Sequence, residues 1–100
     1  MTVKLLMSWN IKPGREQEYF EFVVREWVPG MQRLGLEPTE AWYTLYGQAP
    51  QILAGVTADN LKTMRQVLET EDWQALLGQL HTFVDDFEQK VIPASGGFQL

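Results

Sequence analysis

The chain contains no cysteine. That single absence removes disulfides, thiolate nucleophiles and cysteine-ligated metals together. It also fits a reducing compartment, so a cytoplasmic location is expected. Histidine is almost missing: His81 stands alone, and neither a zinc spacing nor a Ser-His-Asp order is present. Positive charge is scarce as well. Eight Lys and Arg against thirteen Asp and Glu leave a net charge of −5. The few basic residues are scattered, which argues against the clustered cationic surface that nucleic acid or an anionic membrane requires. No window approaches the ~18 apolar residues of a membrane span. The short apolar run at the N-terminus has no cleavage pattern and passes straight into an alternating segment, so a signal peptide is not expected. There is no repeat, low-complexity stretch or linker, and 100 residues suit a single domain.

What the chain does have is apolar mass. Hydrophobic residues make up 45% of it, with four Trp, three Tyr and five Phe, enough for a packed core. Residues 2–12 alternate: Val3, Leu5, Met7, Trp9 and Ile11 form one apolar face, and Lys4, Leu6, Ser8, Asn10 and Lys12 the other. That is the period of a strand, and Pro13-Gly14 ends it. A helix is predicted from about Arg15, with Tyr19, Phe22, Val23, Trp27, Met31 and Leu34 as its buried stripe. Pro29 should kink or break it near Val28. Residues 39–46 and 51–57 read as two strands around a hairpin-length loop. Asp59 or Asn60 can start a short helix, and Thr70-Glu71-Asp72 is a second start signal. A long helix is predicted after it, burying Trp73, Leu76, Leu77, Leu80, Val84, Phe87 and Val91, with Phe98-Gln99-Leu100 as a short edge strand. The order is β-α-β-β-α(α)-β: an α+β, ferredoxin-like, four-stranded antiparallel sheet with helices on one face.

Strand parity then predicts a partner. If the apolar face of the first strand meets the helices, the opposite sheet face carries Leu6, Trp42, Tyr46 and Leu53. Such a face is too apolar to stand in water, and two of them related by a two-fold axis would cover each other. A homodimer through this face is expected.

Three groups of residues are candidates for chemistry. Trp9, Trp27, Tyr43 and Trp73 could line a cavity between sheet and helices that suits a flat aromatic ligand, or could simply fill the core. His81, the only histidine and so the residue type best suited to proton transfer, would sit on the flank of the last helix with Asp85 one turn later to orient it. It would move a proton or, more simply, be a boundary residue. Asp85-Asp86-Phe87-Glu88 is an acidic run in which Asp85 and Glu88 would be helix neighbours, able to hold a cation or to form a solvated face.

The strand ending Asn10-Ile11-Lys12-Pro13-Gly14, the helix with Tyr19 and Phe22, and the segment Asp72-Trp73-Gln74-Ala75-Leu76-Leu77 together resemble the dimeric α/β-barrel superfamily. The likeness is greatest to its short antibiotic-biosynthesis-monooxygenase-like and NIPSNAP-like members. The resemblance implies a homodimer and admits several functions. The first is a cofactor-independent oxygenase acting on a small aromatic molecule, with His81 as proton carrier and no cofactor. The alternative is a non-catalytic module for ligand binding or assembly. Haem degradation fits less well. In the haem-degrading members of that superfamily the Asn lies nearer the position of Met7 than of Asn10, and their Trp and His are spaced more widely than Trp73 and His81.

Overall fold

The computed structural model describes residues 1–44 and 50–94. Strand β1 (Val3–Ile11) alternates as its sequence dictates. Val3, Leu5, Met7, Trp9 and Ile11 are buried, while Lys4, Leu6, Ser8 and Asn10 are half-buried on the other side. The turn at Pro13-Gly14 places Gly14 at φ 84°, a left-handed conformation that costs glycine nothing. The helical rod that follows has three parts: α1 (Glu16–Phe22), one wide π-helical turn (Val23–Trp27) and α2 (Val28–Arg33). In the wide turn the Val28 N–H reaches back five residues to the Val23 carbonyl. Pro29 lacks an N–H, and its ring crowds the carbonyl four residues back. The extra residue in the preceding turn relieves that crowding, so the rod continues where a kink or break was predicted.

Strand β2 (Glu37–Tyr43) follows, then β3 (Ile52–Ala58), α3 (Leu61–Leu68) and α4 (Glu71–Leu80). Both helix starts are the predicted ones. The Asn60 side chain accepts from the Thr63 N–H, and the Thr70 hydroxyl from the Trp73 N–H, each satisfying a backbone donor the helix leaves free.

The last helix departs from expectation. It stops at Leu80, and Val84–Pro93 is the fourth strand, β4, paired antiparallel with β1. The pairing runs Ser8↔Glu88, then Asn10↔Asp85, so β4 holds one more residue than β1 between these points. That bulge is centred on Asp86, the one non-glycine residue with positive φ (58°) among the described residues. It brings both Val84 and Phe87 to the helix side of the sheet although they are three apart. A bulged strand thus imitates helical spacing. Asp85 and Glu88 are accordingly strand residues, and His81 and Asp85 do not share a helix. The predicted edge strand Phe98-Gln99-Leu100 lies outside the described residues.

The sheet order is β2-β3-β1-β4, antiparallel throughout. This is the ferredoxin-like arrangement, with the helices on the face of Leu5, Met7 and Trp9. The core joins these to Tyr19, Phe22, Trp27, Met31, Met64, Trp73 and Leu80.

Candidate functional site

Trp9, Trp27 and Trp73 meet in the middle of the core. Each is at most 2% exposed. Trp27 stands between the other two, its ring centroid 5.9 Å from Trp9 and 5.6 Å from Trp73. Phe87 stacks on Trp9 at 5.9 Å with only 14° between the planes. These are ordinary packing distances for aromatic rings, so Trp27 packs on both of the other indoles. Tyr43 is elsewhere. It ends β2, is 46% exposed, and reaches the cluster only through Phe20 and Tyr19.

Tyr19, expected as part of the buried stripe and not as a site residue, makes the polar contact of this cluster. The Trp9 indole N–H donates to its hydroxyl at 3.0 Å, and both residues are buried. Burial pushes the Tyr19 phenol up to about 12, against the opposing effect of the Trp9 hydrogen bond. The phenolate would have to exist away from water.

His81 caps the C-terminus of α4. It is exposed, with its ring edge-on to Phe87 at 5.2 Å. Asp85, its expected partner, lies opposite Asn10 in the sheet instead. Asn10 makes the better-built polar node. Its amide donates to the Asp86 carboxylate at 3.0 Å, and its carbonyl accepts from the Gln51 N–H at 2.8 Å. The Gln51 side chain in turn accepts from the Ile11 N–H at 2.8 Å. One Asn therefore ties the bulge in β4 to the start of β3 across β1. No group of acidic or histidine residues able to hold a metal occurs among the described residues.

A cavity of about 370 Å³ opens to solvent between α2 and α4. Gly30, Leu34 and Leu76 form part of its wall, with Glu26, Arg33 and Asp72 among the charged residues around it. Its lining includes none of the four candidate aromatics.

The sheet face opposite the helices carries the remaining candidates. The register places Leu6 beside Gly55, and Leu53 between Ser8 and Trp42. Trp42 is 57% exposed and Leu53 41%. Ile92 joins them opposite Lys4. Tyr46 lies outside the described residues. In the middle of this face the Lys4 ammonium pairs with the Glu40 carboxylate, reaching from β1 to β2 over β3. No described helix is long and apolar enough to cross a membrane.

No protein-family model matches the chain, and neither does any curated protein. Solved structures do. A NIPSNAP family protein from Agrobacterium tumefaciens superposes with a TM-score of 0.71 at 17% identity, covering 96% of this chain and 95% of that one. An uncharacterized NIPSNAP domain protein from Burkholderia xenovorans gives 0.69 at 13% identity, covering 99% of each chain. An ethyl tert-butyl ether d (EthD) family protein from Bacillus halodurans gives 0.71 at 15% identity over the whole of both chains. The resemblance drawn from the strand–Lys12-Pro13-Gly14–helix junction is therefore met at the level of fold: this chain has the ferredoxin-like α+β fold of NIPSNAP and EthD family structures.

Proposed function

We propose that the protein is a homodimer closed through the open sheet face and acts as a non-catalytic binding or assembly module. The observation that carries this reading is the exposed row of Leu53 and Trp42 beside Leu6 and Ile92, on a sheet whose other face is already filled. An exposed apolar stripe of that kind marks an interface more often than it stands bare. The interior supports a module over an enzyme. Trp27 packs against both Trp9 and Trp73, and His81 is exposed without the carboxylate partner expected of a proton carrier. Sedimentation equilibrium at micromolar concentration tests the dimer. A two-protomer mass is the expected result, and a monomer at every concentration would overturn the reading.

A second reading, a cofactor-independent monooxygenase-like enzyme for a small aromatic molecule, draws support from one arrangement. Exposed Tyr43 leads through Phe20 and Tyr19 to Trp9, whose Phe87 neighbour carries the His81 ring on its edge. A substrate would have to enter by that aromatic row and part the indoles. It predicts oxygen uptake with a polycyclic phenol and loss of turnover in His81→Ala. Unchanged turnover in that variant would remove His81 from the chemistry.

A further inference from the structure

The centre of the open sheet face has a feature that neither the exposed aromatics nor the fold requires. Gly55 on β3 lies between Leu6 of β1 and Glu40 of β2. With no side chain there, the Lys4–Glu40 pair lies flat over β3 and buries the glycine beneath it. A Cβ at position 55 would stand 2.7 Å from the Glu40 carboxylate and 3.3 Å from both the Lys4 chain and the Thr39 hydroxyl. Any larger residue would lift the pair off the sheet. The two side chains keep 22% and 30% of their exposure in one protomer, so the pair reaches the surface of this face.

We infer that this internally neutralised pair, seated on Gly55, is the element that lets a second copy of the chain close over the sheet, and that Gly55, Lys4 and Glu40 determine the fit. The inference rests on the homodimer reading and specifies its contact. A second copy suits the area available. Nine residues of β1 by four strands give a face of about 600 Å² in projection. Side-chain relief brings this towards the ~800 Å² per partner of a standard stable interface. Charge argues the same way. The remaining charges of this face among the strand residues, Glu37, Asp85, Asp86, Glu88 and Lys90, stand on the edge strands β2 and β4, leaving the centre to Leu6, Leu53, Ser8 and the pair. An ion pair satisfied within its own protomer asks for no charge from its partner, so an identical face can cover it. A lone Lys4 under the same cover would be a buried, unpaired cation, which is costly, whereas removing both charges is not.

Dimer dissociation constants measured by sedimentation test this with three variants, each checked for folding by circular dichroism. Glu40→Gln strands the lysine and should loosen the dimer at least ~tenfold. Lys4→Met/Glu40→Leu removes both charges and should return the constant to within about threefold of the parent, or tighter. The nearest atoms a Gly55→Ala methyl meets belong to the Glu40, Lys4 and Thr39 side chains and not to backbone, so the variant should fold yet loosen the dimer in the same direction as Glu40→Gln. If the parent dimerises and all three variants stay within about twofold of it, the pair lies outside the interface and the inference is wrong while the dimer stands. A double variant as loose as Glu40→Gln would also overturn it, because the stranded charge would not be the cause. A monomeric parent is a separate result and removes the homodimer reading itself.

Discussion

Tyr19 and Trp9 show how much a single contact inside the core can carry. Trp9 follows from the alternation of β1, a local property that any reader of the sequence can count. Its partner does not, because Tyr19 is one of several apolar-stripe residues of the next element and only the packing of helix on sheet selects it. Tyr19→Phe keeps the ring but leaves the Trp9 indole N–H buried with no acceptor. The expected cost is ~1–3 kcal/mol, measured by urea unfolding at neutral pH. The raised Tyr19 pKa adds a pH dependence of known sign. Its value in the fold, about 12, exceeds the ordinary phenol value of 10.0, so the fold favours the protonated phenol. This contribution is whole below pH 10 and is lost as pH rises from there to about 12, by at most about 3 kcal/mol in all. Tyr19→Phe should flatten that part of the alkaline limb of the stability curve. An unchanged limb would assign the loss to other groups.

At the scale of elements, the sequence is legible where a signal is local and misleading where pairing decides. Thr70 and Asn60 announce helix starts because a cap is a contact within one turn. The end of α4 carries no such mark: no glycine or proline stands between Leu80 and Val84. The chain leaves the helix there because β1 needs a neighbour on its second edge, and ladder hydrogen bonds outweigh a modest helix propensity. The bulge at Asp86 hides this from periodicity, since Val84, Phe87 and Val91 fall at i, i+3 and i+7, the spacing of a helix face. Asp86 tolerates φ 58° because Asp visits the left-handed region more readily than most residues and because Asn10 holds its carboxylate. Asp86→Asn keeps both features and should unfold within ~0.5 kcal/mol of the parent. Asp86→Val loses the hydrogen bond and places a β-branched residue at positive φ, at a cost of ~2 kcal/mol or more. Equal stabilities for the two variants would mean that the bulge is held by neither.

Taken whole, the molecule is a layer of helices on one face of a four-stranded sheet, with the other face open among the described residues. Four strands and their helices satisfy each other on the face of Leu5, Met7 and Trp9, and the fold was readable from element order alone. The candidate site was readable only in part. Spacing brings Trp9, Trp27 and Trp73 to one side of the sheet, but ring orientations decide whether they enclose space, and these depend on all the neighbours at once. Parity, by contrast, places Leu6, Trp42 and Leu53 on the opposite face without any knowledge of packing. That face gives the prediction proper to this scale. Leu53 is 41% exposed in the protomer, so Leu53→Glu should change the stability of an isolated protomer by less than ~0.5 kcal/mol. In a homodimer closed over Leu53 it would bury an unpaired carboxylate against an apolar neighbour. Association stabilises the folded state by mass action, so the parent's melting temperature should fall by roughly 3–5 °C per tenfold dilution. Leu53→Glu should melt at one temperature regardless of concentration, at or below the parent's value under its most dilute condition. A parent whose melting point ignores dilution, or a variant that still follows it, would show that the two sheets do not meet at Leu53.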